Sequence, residues 1–504
     1  MTTVACVLFV KNECTDIAGW IAWHLALGVD RLFIYEDHST DGTWEVLEAA
    51  ARVAPITLLR TDPATQPDFY WRQRDAFMDA ARRARGVYDW LGFLDGDEYV
   101  YPRHFDRIGD FLAQFPDAWA VALNWRIHGN SGRVVRPREM AVETFLSHGT
   151  ESLGDNVLVK SFVRPEHLGP NYTDPHRYDI PEERYVDARG ARVQWTGATK
   201  AIDWRDAFVL HFVCRSMEQY IQRIRRRLNA DLGDSTAYWD HFNRNDVEDR
   251  EPLRLMPAVY PVLGRIYTAM LDAASIRLHA VARVMRDDPL LAAALLDRPD
   301  LRTPSIDGRS QTSVRTVVLR THHDTLLCLG GNRIVRDATL DGLAGVVPVL
   351  GAIHASTPDL ITVFAADRGP LHLPGDSRHL DEPLLRIVPA SQPGRFFLRS
   401  THAGRYLAAT PGSNDSGVAC DRGRADLWEE FRLEPIQSTV TLGLSAIPAP
   451  VNAQGATLLD LCAWAQTLQT PPRRGDFLRA LANLSPIERE RLDHLIPGLL
   501  LPFL

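Results

Sequence analysis

The chain has 504 residues, 45% of them hydrophobic and 24% charged, with a formal net charge of −8. This composition is that of a folded globular protein, and the length suggests about three units. The acidic balance speaks against a general nucleic-acid binder, which displaces counterions with clustered positive charge. Six scattered cysteines without C-x-x-C spacing suit a reducing compartment, and a cytoplasmic location is expected.

In chain order, "VACVLFV" (4–10) is an apolar, β-rich run without the basic flank of a signal peptide, and it predicts a first strand. "DIAGWIAWHLALG" (16–28) has helical spacing, with Asp16 as N-cap and Gly28 as stop. "RLFIYE" predicts a strand, "TWEVLEAAARV" a helix, "ITLLRT" a strand and residues 68–85 a helix, before "WLGFL" predicts a further strand. Strands alternating with helices imply a mostly parallel sheet, and ligands of such sheets bind beyond the carboxyl ends of the strands. Lys11–Glu13, Asp37–Asp41 and Asp95–Glu98 all fall at such ends. No apolar run reaches the ~20 residues of a membrane helix, so any membrane contact is expected to be peripheral.

Residues 251–312 read as a helical connector ending in the linker "RPDLRTPSIDGRSQTS", which closes at Ser313. Residues 313–437 carry short strands and a weak internal echo, in "VLRTHHDTLLCL", "VFAADRGPLHL" and "FLRSTHAGRYLA". The last echo continues into "GVACDRGRADLWEEFRLEPI" and resembles a repeat of fascin-like and ricin-like β-trefoils; the middle one matches poorly. Residues 438–504 hold two amphipathic stretches, "LLDLCAWAQTL" and "GDFLRALANLSPIERERLDHLI", expected to cap the fold as helices.

"DWLGFLDGDEYVYP" (89–102) carries the chemistry. Three acids in four residues after a buried strand repel one another unless something positive is present. Asp95-Gly96-Asp97 has the D-x-D form with which GT-A glycosyltransferases hold Mg²⁺ or Mn²⁺ against a nucleotide diphosphate, and hard divalent ions take such oxygen ligands. Asp37, Ser39, Asp41, Gly42 and Glu48 match the spacing of an EF-hand loop, but that loop needs a preceding helix, whereas "RLFIY" is strand-like. A strand-to-helix turn is expected instead, with Asp41 capping the next helix and Asp37 facing the rim.

"VKNE" (10–13), "WIAWHLALGVDRLFIYEDHSTDGT" (20–43) and "WLGFLDGDEYV" resemble the opening motifs of family 2-like and family 92-like glycosyltransferases. "NWRIHGNSGR" (124–133) is similar to the W-x-x-F-G-S-x-G loop of the family, departing from it at Ile127 and His128. "VKSFVRP", "DPHRYD" and "LHFVCRSMEQYIQRIRRR" resemble later blocks, with Arg227 in place of a usual Gly. The resemblance covers residues 1–230.

It implies an α/β, GT-A (Rossmann-like) catalytic domain over residues 1–250, ahead of the connector, an all-β, β-trefoil-like domain and a short helical tail. It implies a nucleotide-sugar donor, with Lys11, Glu13 and Asp37 near base and ribose and Asp95 and Asp97 near ribose, metal and diphosphate. His211 matches the late histidine that joins the metal, and His176 competes for that place. Arg223 and Arg226, with Arg225 and Arg227, are candidates to clamp phosphate, because guanidinium forks suit its oxygens. Trp125, Gly129 and Gly132 are expected in a loop over donor or acceptor. Asp174 and Asp155 are the candidate bases. The expected activity is metal-dependent transfer of a sugar to a hydroxyl of a glycan or similar acceptor, with inversion. The rivals are a glycan- or protein-binding molecule on a degenerate scaffold and a sugar nucleotidyltransferase, for which no Gly-rich, Lys-bearing phosphate loop is found.

Overall fold

The computed structural model describes residues 1–193, 198–199, 201–227, 235–287, 313–330, 333–337, 347–376, 378–410, 417–437, 440 and 442–503. The chain divides into two compact units, Met1–Ile266 and Tyr267–Leu504, and a long helix, Met256–Asp287, runs through the division. The linker predicted before Ser313 lies outside the described residues.

The first unit is built on one mixed sheet. Strands β1 (Val4–Val10), β2 (Arg31–Glu36), β3 (Ile56–Arg60) and β4 (Trp90–Leu94) run parallel in the order β3-β2-β1-β4. Beyond β4 the sheet continues through Val159–Val163, antiparallel to its neighbours, then β6 (Ala120–Ile127), Ala207–His211 and β5 (Glu98–Pro102). β1 and β4 are buried along their whole length, which is why they read as unbroken apolar runs rather than alternating ones. This is the α/β arrangement expected, with a parallel half that passes into mixed pairing beyond β4.

The helices fall where spacing places them. α1 (Ile17–Ala26) stops at Gly28, whose φ of 79° is left-handed backbone that glycine adopts without steric cost. Asp16 occupies the N-cap position, but its side chain caps nothing; it accepts hydrogen bonds from Arg215 and Gln219 instead. α2 (Thr43–Ala51) follows β2 through a short turn in which Asp41 accepts the Thr43 N–H at 3.0 Å. The segment 37–48 is thus a strand–turn–helix connection. α3 (Phe69–Ala84) is capped by Asp68 accepting from the Trp71 N–H, and it turns Ala76, Phe77, Ala80 and Ala84 onto the core of β1, β2 and β4.

In the second unit, six antiparallel strands close into a ring. Val314–Thr321 pairs with Val347–His354, and pairing continues through Leu360–Ala365, Leu384–Pro389, Phe396–Ser400 and Glu430–Pro435 back to Val314–Thr321. Two hairpins extend it, Leu326–Gly330 with Arg333–Asp337 and Tyr406–Ala409 with Val418–Arg422. Val317, Ile361, Leu385, Leu398 and Phe431 are among the side chains that fill the ring. Between Ala365 and Leu384, from within the poorly matching echo to beyond its end at Leu373, the described residues form no strand. There Asp376 and Arg378, each 2% exposed, pair through two hydrogen bonds, and Ser400 donates to the same carboxylate. The tail is three helices, Leu458–Thr467, Arg474–Asn483 and Pro486–Leu495. The stretch expected as one helix from Gly475 onward is two, because Pro486 lacks an N–H and starts a new helix.

Burial alone would raise the Asp376 carboxyl, but Arg378 outweighs it and holds the group at about 2. A pKa depressed on folding adds stability above the unfolded value of about 3.9, and that stability is lost as pH falls through the folded value. Urea unfolding of the full chain is therefore expected to lose about 2 kcal/mol from this pair between pH 5 and pH 2, as a stability gap over Asp376→Asn that closes on acidification. A gap independent of pH would remove the pair as its source.

Candidate active site

The carboxyl ends of β1 and β2 are laced together. The backbone N–H groups of Asn12, Glu13 and Cys14 donate to Ser39, Thr43 and Asp41. Asp37 does not face an open rim as expected. It is fully buried, Arg72 grips both its oxygens at 2.7 and 2.8 Å, and Thr61 and Lys11 add further bonds. A carboxylate whose lone pairs are occupied anchors α3 and the β3 end to β2. Lys11 stays 40% exposed beside it and is the more accessible group for a ligand.

The Asp95–Glu98 turn answers the question of what balances its acids. The Asp95 carbonyl accepts from the Trp20 indole and the Glu98 N–H, while the Asp95 N–H donates to the Glu98 carboxylate at 2.8 Å. Lys160, 1% exposed, comes from Val159–Val163 and reaches Asp95 at 2.7 Å and Glu98 at 3.3 Å. Burial works against the Lys160 charge, but these two carboxylates outweigh it and raise its pKa. Glu98, fully buried, also accepts from the Trp125 indole at 2.9 Å.

Asp97 is held from the other side. The pairing of β5 with Ala207–His211 sets His211 opposite Glu98 and brings its Nε2 to 3.7 Å from Asp97 Oδ1. Arg223, on the helix Met217–Arg227, donates to Asp97 Oδ2 at 3.2 Å and to the Val213 carbonyl. Burial pushes the Asp97 carboxyl up, but His211, Arg223 and Arg215 overcome it and hold it well below the usual range. The buried Nδ1 of His211 has no hydrogen-bond partner among the described residues. Arg215 bridges Glu13 and Asp16 and donates to the Gly96 carbonyl at 3.3 Å. One connected cluster therefore sets the carboxylates Glu13, Asp16, Asp95, Asp97 and Glu98 against the cations Lys160, Arg215 and Arg223, a formal excess of negative charge.

Spacing along the chain singled out neither Lys160 nor Arg215. For Lys160 a signal was present, since a lysine amid "VKSFV" is a charge inside a fully buried strand. Arg215 carried none, because it follows a strand end as many surface arginines do.

The remaining candidates separate. Trp125 lies within β6, 9% exposed, its ring 4.1 Å from that of His211 and 5.0 Å from that of His176, so it is a wall of the cluster and not part of a mobile loop. His176 donates from Nδ1 to the Val159 carbonyl and feels the charges of Lys160, Asp95 and Asp174. Asp174 shapes a turn, one oxygen accepting the His176 and Arg177 N–H groups at 2.7 and 3.0 Å. Asp155 pairs with His241 at 2.7 Å. Arg226 belongs to the helix Met217–Arg227, but its side chain, with those of Arg225 and Arg227, lies outside the described residues.

The loop after β6 is pinned by Asn243, which accepts the Asn130 N–H, and by Asn245, which accepts that of Ser131. A Cβ on Gly129 would lie 2.4 Å from the Arg244 carbonyl oxygen. Gly129→Ala is expected to destabilise the protein by about 1–3 kcal/mol through the forced backbone shift, seen as a lower urea midpoint. An unchanged midpoint would mean that the loop is not held against Arg244.

Residues 2–170 match the family model of Glycosyltransferase family 92. The matched segment lies wholly within the first unit and is similar to family 92 glycosyltransferases. A Glycosyltransferase family 92 protein of Ricinus communis is 37% identical over 263 residues, 49% of this chain and 40% of that protein. One from Oryza sativa subsp. japonica is 27% identical over 187 residues, 35% of this chain and 30% of that protein. The matched part of the chain thus spans less than half the length of these relatives. Among solved structures, S. aureus TarS 1-349 is 13% identical and covers 58% of this chain and 87% of its own, with a TM-score of 0.25, too low to bear on the fold. The family 92 match includes Lys11, Glu13, Asp95, Asp97 and Lys160 and ends before Asp174, His211, Arg215 and Arg223.

Proposed function

We propose that the first unit transfers a sugar from a nucleotide-diphosphate donor to a hydroxyl of a glycan-like acceptor, using a divalent ion, Mn²⁺ or Mg²⁺. The observation that carries this reading is the Asp97–His211 pair at the carboxyl ends of the strands, with His211 buried and the Asp97 side chain 12% exposed, in a cluster that holds more carboxylates than cations. An oxygen and a nitrogen 3.7 Å apart, with Asp97 ionised, suit one divalent ion. Among the described residues no three such side chains converge as a ready-made metal centre, so diphosphate oxygens would complete the shell. The ion would supply charge stabilisation for the departing diphosphate.

The chain's own residues divide the rest. Arg223 fixes one Asp97 oxygen and leaves the other toward His211. Lys160 keeps Asp95 oriented in a site where two unpaired acids would repel. Arg215 ties Glu13 to the Gly96 carbonyl and so joins the β1 end to the acidic turn. To Lys11, 40% exposed at the end of β1, we assign a contact with the donor. Asp174 is the better candidate base, since it shares the electrostatic surroundings of His176 and Asp95, whereas Asp155 is engaged by His241. Inversion of configuration is part of the proposal.

The second unit we read as a β-trefoil-like module that binds glycan, with support from the closed six-strand ring and its two hairpins. A reducing, cytoplasmic location fits six buried, unbridged cysteines. No helix among the described residues is long and apolar enough to cross a membrane.

The test is release of free nucleoside diphosphate from a panel of nucleotide sugars, with Mn²⁺ or Mg²⁺ and with chelator. Release that survives full chelation would remove the metal, and no release from any donor with a panel of glycan acceptors would count against transfer.

A further inference from the structure

A cavity of about 220 Å³ opens within the second unit, at the segment where the middle echo forms no strand. Its floor is the outer face of the ring. Thr362 pairs with Leu384 across adjacent strands and shares its side with Phe364, while Ile361 and Val363 alternate into the ring's interior. Thr362 is 2% exposed and its hydroxyl has no hydrogen-bond partner among the described residues. Leu478, from the helix Arg474–Asn483, adds a second apolar wall.

The rim is polar and already ordered. Arg368 sits at a φ of 62°, in a turn whose Asp367 carboxylate accepts the Gly369 N–H at 2.8 Å, and its guanidinium meets Glu382 at 2.8 Å. Opposite, Arg474 holds the Asp272 carboxylate through two hydrogen bonds of 3.1 and 2.8 Å. Each cation is balanced by a carboxylate, so the rim has little to recruit an ion. A guanidinium has five N–H donors and a carboxylate several acceptor sites, and one partner does not exhaust them. Fixed donors and acceptors around an apolar floor suit a ligand with hydroxyls at its edge and C–H bonds on its face. The volume falls below the roughly 300–1,000 Å³ typical of sites for drug-sized ligands, which favours one ring over a nucleotide or a longer chain.

We propose that this cavity, between the middle echo and the helix Arg474–Asn483, binds a single neutral sugar residue. The proposal rests on the reading of the second unit as a glycan-binding module and gives it a place. The experiment is saturation-transfer NMR on the full chain with the methyl glycosides of glucose, galactose, mannose and N-acetylglucosamine, with inorganic phosphate as competitor. Transfer to the ring protons of at least one glycoside, undisturbed by phosphate, is expected. Arg368→Gln combined with Glu382→Gln removes the guanidinium fork and both charges together, so no unpaired charge is left, and should weaken that binding about tenfold or more. Thr362→Val removes a hydroxyl that bonds to nothing in the fold, and weaker binding with an unchanged thermal midpoint would support a ligand contact there. Binding unaltered in both variants would overturn the cavity while leaving the module reading intact. No binding of any glycoside would overturn both, and displacement by phosphate would overturn the neutral ligand.

Discussion

Asp97→Asn is expected to lower sugar transfer by at least about 10²-fold while leaving the fold intact. The substitution keeps the side chain's shape and its contact with Arg223, but it removes the charge that pairs with His211 and would hold the ion. Some stability should be lost as well, because His211, Arg223 and Arg215 favour the ionised carboxylate in the folded state, so activity is compared at a temperature where circular dichroism shows the variant folded. Metal-dependent binding of a nucleoside diphosphate, followed by calorimetry, should disappear with activity. A variant that turns over like the wild type, or that still binds nucleotide in a metal-dependent way, would exclude Asp97 as the ligand.

Lys160→Met should act chiefly on stability. Lys160 lies within a fully buried strand, and its loss leaves Asp95 and Glu98 facing each other without the cation between them. Removing one partner of a buried pair costs about 3–5 kcal/mol, since the other charge stays out of water. Methionine keeps most of the volume, so the cost is electrostatic rather than a cavity effect. Combining Lys160→Met with Glu98→Gln should recover part of the loss, because a neutral amide can still accept from the Trp125 indole. Urea unfolding of the two variants measures both effects. Equal midpoints for wild type and Lys160→Met would show that the acids are balanced by something other than this lysine.

These two residues mark the difference between what was legible in the chain and what was not. The alternation of strand and helix, the burial of β1 and β4, the strand-to-helix turn after β2 and the acidic turn after β4 follow from patterns a few residues long. So does the weakness of the middle echo, where the structure has a cavity wall, followed by an ion pair, in place of a hairpin. Local spacing is enough for these, because backbone geometry repeats every two residues in a strand and every 3.6 in a helix. The position of His211 beside Asp97 came from the resemblance of the late block, and the antiparallel register of β5 gives its physical cause.

By itself the sequence determined that carboxylates gather at strand ends and that something positive must meet them. Which groups meet them was decided by the tertiary structure alone. Lys160 is 65 residues from Asp95, Arg223 is 126 from Asp97, and Arg215 is 202 from Glu13. The same packing closed Arg72 over Asp37, turned Trp125 into a wall and gave Asp155 to His241. A charge placed in a low-dielectric interior takes whichever opposite charge the fold carries to it, and that choice depends on sheet order and register rather than on neighbours in the chain.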